Sequence, residues 1–77
     1  MDAVKDILEE LKPGVDYLSR EDLVDARVLD SLTIIALVAE LEDAFDITIP
    51  AVEIVADNFN SLRGIWALVE RLRAQDL

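Results

Sequence analysis

Apolar positions recur every three to four residues in three stretches of the chain. In the first, Val4, Ile7, Leu8 and Leu11 share one side while Lys5, Asp6, Glu9 and Glu10 take the other. That spacing predicts an amphipathic helix, ended by Pro13-Gly14. The longest apolar run, Leu32 to Phe45, predicts a second helix starting at about Ser31. At roughly 100° per residue, Ile34, Leu37, Val38, Leu41 and Phe45 fall on one side and are expected to form the centre of the core. The opposite side carries Leu32, Ala36, Ala39 and Asp43, with Glu40 and Glu42 at its margins. A leucine and two alanines make that face less polar than solvation requires, a modest sign of a docking surface. In the third stretch Leu62, Ile65, Trp66, Val69 and Leu72 form the stripe of a last helix. Asn60-Ser61 offers its N-cap, and Arg71 and Arg73 suit the negative end of its dipole.

The connecting segments lack this period. Val15 to Leu29 is a long connection for so short a chain, and loops of that length tend to be functional. Within it, Ser19-Arg20-Glu21-Asp22 has the form of a capping box for one short turn. Val15, Leu18, Leu23 and Val28 are expected to tack the loop onto the core. Asp46-Ile47-Thr48-Ile49-Pro50 is β-branched and ends in proline, which predicts extended backbone. From Ala51 to Asn60 the pattern is ambiguous, and Val52, Ile54, Val55 and Phe59 could anchor a short helical turn. No repeat or internal boundary is visible. The expectation is one all-α domain over residues 1–77, a small antiparallel bundle of three main helices plus one short helix. Phe45 and Trp66 are expected in its core, so that Trp66→Ala would cost roughly 3–5 kcal/mol.

Composition narrows the chemistry more than the fold. In 77 residues there are no cysteines and no histidines. Disulfides and thiolate metal sites are therefore excluded, and so are the usual activated nucleophiles and the commonest metal ligand. No calcium-loop pattern occurs, and Gly14 and Gly64, the only glycines, make no phosphate-cradling loop. The acidic group Glu40, Glu42, Asp43 and Asp46 is read as incidental to metal binding. No catalytic or metal site is expected, and the chain is not read as an enzyme. A net charge of −10 argues against nucleic acid and anionic membrane surfaces and toward basic patches on other proteins. Glu40, Glu42 and Asp43 interrupt the apolar run too early for a membrane span, and the N-terminus has no signal-peptide pattern. A cytoplasmic monomer is expected.

What remains is Asp30-Ser31-Leu32, a serine at the first turn of the longest apolar run, behind a long loop. Asp and Ser are favoured helix caps, so the tripeptide alone is compatible with plain capping. The wider pattern is more specific. Leu23-Val24-Asp25-Ala26-Arg27-Val28-Leu29-Asp30-Ser31-Leu32, followed by Leu41-Glu42-Asp43-Ala44-Phe45-Asp46-Ile47-Thr48-Ile49-Pro50 and Asn58-Phe59-Asn60-Ser61-Leu62, resembles the acyl carrier protein family. Within it, the likeness is to the free-standing acyl, peptidyl and D-alanyl carriers.

The resemblance implies that Ser31 is a phosphoprotein-type attachment point, receiving 4′-phosphopantetheine from coenzyme A. It implies that the arm's thiol carries acyl or aminoacyl cargo as a thioester. Asp30 and Leu32 would help a phosphopantetheinyl transferase recognise the site. Further partners would be an acyl- or aminoacyl-activating ligase and a downstream acyltransferase or synthase of a fatty-acid, polyketide, nonribosomal-peptide or D-alanylation type pathway. They would dock on Leu32, Ala36 and Ala39 with Glu42 and Asp43 as an acidic margin. A phosphodiester at a helix start would face the positive dipole end, and the missing cysteine would be no obstacle because the thiol is the cofactor's.

Two departures stand out. Arg27 occupies a position where many relatives have glycine. Thr33 and Ala36 replace acidic residues of fatty-acid carriers, and Ala39 replaces a bulky apolar one, which leans toward aminoacyl or specialised acyl cargo. The rival reading is a small acidic helical interaction module without a prosthetic group.

Overall fold

The structure, a computed structural model, describes residues 1–75, and its order of elements follows the predicted periodicities. Helix α1 spans Asp2–Leu11, α2 Ser31–Phe45, α3 Ala56–Phe59 and α4 Leu62–Gln75, with a 3-10 turn over Ala51–Glu53. Among the described residues there is no strand. Helices α1, α2 and α4 pack against one another pairwise, and α3 lies against α4. The fold is thus the all-α, carrier-like bundle expected from sequence, three long helices and a short one.

Each helix turns its predicted stripe inward, but Leu11, Ile34 and Val38 are only half-buried, so on α2 Leu37 and Leu41 alone reach the centre of the core. Val4, Ile7 and Leu8 of α1 meet Leu37 and Leu41 of α2 and Leu62, Ile65, Leu68, Val69 and Leu72 of α4 in one core. Leu68, absent from the predicted stripe, is buried, whereas Trp66 is only half-buried. Trp66 instead packs edge-on against Phe45, also half-buried, with ring centroids 5.9 Å apart, and the Arg73 guanidinium lies 5.7 Å from the Phe45 ring centre. Both aromatics therefore sit at the rim of the core, not in its centre. Their size explains this: where α2 and α4 converge, a leucine fills the interior and a large ring is left to cover the edge.

The long connection is anchored differently from expectation. Leu23 and Val28 do turn inward, joined by Leu29 and Tyr17, but Leu18 is 69% exposed. Tyr17 replaces it because its hydroxyl donates at the end of α1, to the carbonyl oxygen of Lys12 (2.5 Å) and to that of Leu8 (3.2 Å), which also accepts the Lys12 N–H. Burial, aided by the charge of Glu9, pushes the Tyr17 phenol up, so it stays a donor. The expected capping box does not form. Arg20 instead pairs with Asp22 at 3.0 Å, and turns form on either side, one closed by the Arg20 N–H to the Asp16 carbonyl at 3.1 Å and one by the Ala26 N–H to the Asp22 carbonyl at 2.7 Å.

Beyond α2, Asp46 adopts a left-handed conformation that stops the helix, and Ile47 and Ile49 are buried from extended backbone, as the β-branched pattern predicts. In the following segment only Phe59 is buried, while Val52, Ile54 and Val55 are exposed. The segment is held by polar contacts instead. Arg71 donates to both Glu53 carboxylate oxygens at 2.7 and 3.1 Å, and Asn58 donates to the Glu53 carbonyl at 2.8 Å. Arg71 therefore holds the Glu53 carboxyl below its ordinary range.

Candidate functional site

The candidate site is the head of α2. Asp30 has extended backbone, and its Oδ1 accepts the Thr33 N–H at 2.8 Å, which makes Asp30 the N-cap and Ser31 the first residue of the helix. The geometry assigns the capping role within the tripeptide to Asp30. Capping is done by the aspartate, so the serine hydroxyl is not needed for it. Ser31 is exposed, and among the described residues its hydroxyl takes part in no hydrogen bond. The Asp30 carboxyl is held below its ordinary value, first by the bonds from Thr33 and then by the charge of Lys12. A free hydroxyl at the positive end of a fifteen-residue helix suits a phosphodiester attached there.

The loop that delivers this serine is more constrained than its length suggests. Leu29 N–H donates to the Leu23 carbonyl at 2.9 Å, closing a turn in which Arg27 N–H reaches the Val24 carbonyl at 3.0 Å. Arg27 closes the turn with φ +60°, in the left-handed region. That backbone explains why glycine suits the position, since a Cβ there crowds the following carbonyl. Arg27 is exposed and forms no ion pair among the described residues. It is the only cationic side chain between Arg20 and Arg63.

Of the predicted docking residues, Leu32 is 79% exposed and Ala39 and Asp43 are exposed as well. Ala36 is half-buried. Glu42 is half-buried too, and its Oε2 accepts the Ile49 N–H at 2.8 Å, tying α2 to the extended segment. Sequence reasoning missed Ile35, which is 66% exposed. The signal was available, because Leu32, Ile35 and Ala39 stand at i, i+3 and i+7 on one stripe. A small apolar cavity of about 100 Å³ opens beside Ile34, lined also by Val24, Val55 and Phe59. A larger one of about 210 Å³, lined by Tyr17, Leu18 and Arg63 among others, includes no residue of the Ser31 turn. Among the described residues no acidic group is gathered to hold a metal ion, and no helix is long and apolar enough to cross a membrane.

This geometry has counterparts in known proteins. Residues 2–69 match the family described as phosphopantetheine attachment site. The chain is 42% identical over 71 residues to the D-alanyl carrier protein of Streptococcus sanguinis strain SK36, covering 91% of this chain and 90% of that protein. It is 41% identical over 68 residues to the D-alanyl carrier protein of Streptococcus mutans, covering 87% of this chain and 86% of the relative. The Streptococcus gordonii D-alanyl carrier protein is likewise 41% identical over 71 residues. No solved structure matches the chain. A match over nearly the whole length, with relatives named as carrier proteins, implies covalently attached 4′-phosphopantetheine, and the chain belongs to the phosphopantetheine-binding carrier protein family.

Proposed function

We propose that this chain is a stand-alone D-alanyl carrier, a single carrier domain working as a cytoplasmic monomer, with 4′-phosphopantetheine attached at Ser31. The observation that carries the reading is the exposed Ser31 hydroxyl, relieved of capping by Asp30 at the head of α2. When attached, the group supplies a thiol on a flexible arm, which the chain itself lacks. The chain's residues present and orient it. Asp30 keeps the first turn of α2 closed, and the turn's N–H groups and dipole favour an anion on Ser31.

The cargo assignment rests on the names of the three relatives above, each a D-alanyl carrier protein, and on the sparse charge of the α2 face. Thr33, Ala36 and Ala39 stand where fatty-acid carriers bear acidic or bulky residues. Leu32 and Ile35 form an apolar centre, and the nearby carboxylates, Asp43 foremost, form a margin. Such a face favours a partner with an apolar patch and a basic rim. The partners are a phosphopantetheinyl transferase, an ATP-dependent ligase that activates D-alanine, and an acyltransferase that takes the cargo on.

Two intact-mass experiments test the proposal. Coenzyme A and a broad-specificity phosphopantetheinyl transferase should add one phosphopantetheine to the wild type and none to Ser31→Ala. An equal gain in both overturns the site. The loaded carrier, given ATP, D-alanine and a D-alanine-activating ligase, should gain one alanyl mass. Preferential loading by a fatty-acyl ligase overturns the cargo while leaving the carrier role.

A further inference from the structure

We propose that Asn60, at the junction of α3 and α4, is a positioning residue for Ser31, holding the 23–29 turn in the arrangement that presents the head of α2. The proposal rests on Ser31 as the attachment point. The Asn60 side chain reaches across 35 and 36 positions of sequence to one short segment. Its Oδ1 accepts the N–H groups of Val24 (2.9 Å) and Asp25 (3.0 Å), and its Nδ2 donates to Asp25 Oδ2 at 3.2 Å. Its carbonyl accepts the Leu23 N–H at 2.9 Å. Four bonds from one residue thus grip three consecutive residues.

From that grip a hydrogen-bonded path runs to the site. The Leu23 carbonyl accepts the Leu29 N–H at 2.9 Å, and Leu29 precedes Asp30, whose carboxylate caps the helix that Ser31 begins. Buried Leu23 and Leu29 hold the segment to the core, but apolar contact is non-directional, whereas the bonds set orientation. The turn also contains the left-handed Arg27, which has no ion pair among the described residues to steady it. The site demands a carboxamide, since the same side chain must accept two N–H groups and donate to a carboxylate. Aspartate at 60 keeps the acceptor but sets a second carboxylate against Asp25. An Asp25→Asn change made together with it restores the pairing in reverse, with the amide on the other side.

The test compares wild type, Asn60→Asp and the Asp25→Asn/Asn60→Asp pair, each kept well below its melting temperature. In steady-state modification by the transferase, Asn60→Asp should raise KM for the carrier roughly tenfold at unchanged kcat, because only the fraction with a correctly held turn is competent. The pair variant should recover most of the wild-type KM. A tie that merely adds stability would lower the melting temperature and leave KM alone. Amide hydrogen exchange reads the clamp without any enzyme: exchange at Leu29 and Thr33 should accelerate roughly tenfold in Asn60→Asp and slow again in the pair. Wild-type behaviour of Asn60→Asp in either readout overturns the proposal, as does a pair variant no better than Asn60→Asp. If Asn60→Asp does not fold, Asn60→Ser takes its place in both readouts. Should the wild type gain no phosphopantetheine, the attachment reading fails, and hydrogen exchange alone then decides whether Asn60 holds the head of α2.

Discussion

At position 27 the backbone, not the side chain, carries the information. Arg27 holds φ +60° with its guanidinium in solvent, so a residue with a Cβ occupies a conformation that suits glycine. Arg27→Gly should therefore stabilise the protein by about 1 kcal/mol, measured by urea unfolding; a loss of stability would show that the arginine contributes an interaction of its own. Asp30 gives a second test. Its carboxyl titrates below the ordinary value of 3.8 because the ionised form accepts the Thr33 N–H. A depressed folded pKa means that the contribution is full above the unfolded value and is lost as pH falls through the folded one. In Asp30→Asn the cap is kept without the charge, so its acid unfolding below about pH 4 should be less steep than the wild type's. Equal acid limbs would mean that the cap is not coupled to folding.

At the scale of elements, the periodic helices were legible and the long connection was not. Helical spacing identifies α1, α2 and α4 because their burial is one-sided, and it even identifies the left-out residue Ile35 by its distance from Leu32. In the connection no period exists, so Leu18 and Tyr17 could not be told apart by spacing. The phenol wins the interior because it also satisfies carbonyls at the end of α1. Leu23→Ala should cost about 3 kcal/mol while Leu18→Ala, exposed, should cost under about 0.5 kcal/mol, both read by thermal or chemical unfolding. The reverse order would place the loop in the wrong register. On α4 the same logic moves weight from Trp66 to Leu68. Half-buried Trp66 retains its edge contact with Phe45, so Trp66→Ala should cost about 2 kcal/mol, less than full burial would imply.

Across the whole molecule, charge is the dominant imbalance. Seventeen acidic side chains face seven basic ones, and between Arg20 and Arg63 Arg27 is the sole cation. The ion pairs Lys5–Glu9, Arg20–Asp22 and Arg71–Glu53 lie at the surface. They neutralise little of this excess, so the folded chain works against its own repulsion. Adding salt from about 10 to 150 mM should raise the melting temperature by screening it, and a fall on adding salt would show that the surface pairs outweigh the repulsion. In the proposed carrier role the same excess would steer basic partners. It leaves the Leu32, Ile35 and Ala39 stripe as the uncharged ground on a negative surface, suited to a partner whose rim is basic.

The sequence by itself determined the helices, the lack of any histidine or cysteine, and the serine that could carry a group, because periodicity, inventory and motif order are properties of a line. It also pointed to the carrier family, for the same reason. Tertiary structure alone decided who caps α2, since Asp30 and Ser31 are both good caps and only backbone geometry assigns the role to one. It alone decided that Arg27 is left-handed, that Glu42 turns to Ile49, and that Asn60 reaches 35 residues back to the turn before Ser31. Those are facts about residues distant in the chain and adjacent in space, where hydrogen-bond direction, not residue type, selects the outcome.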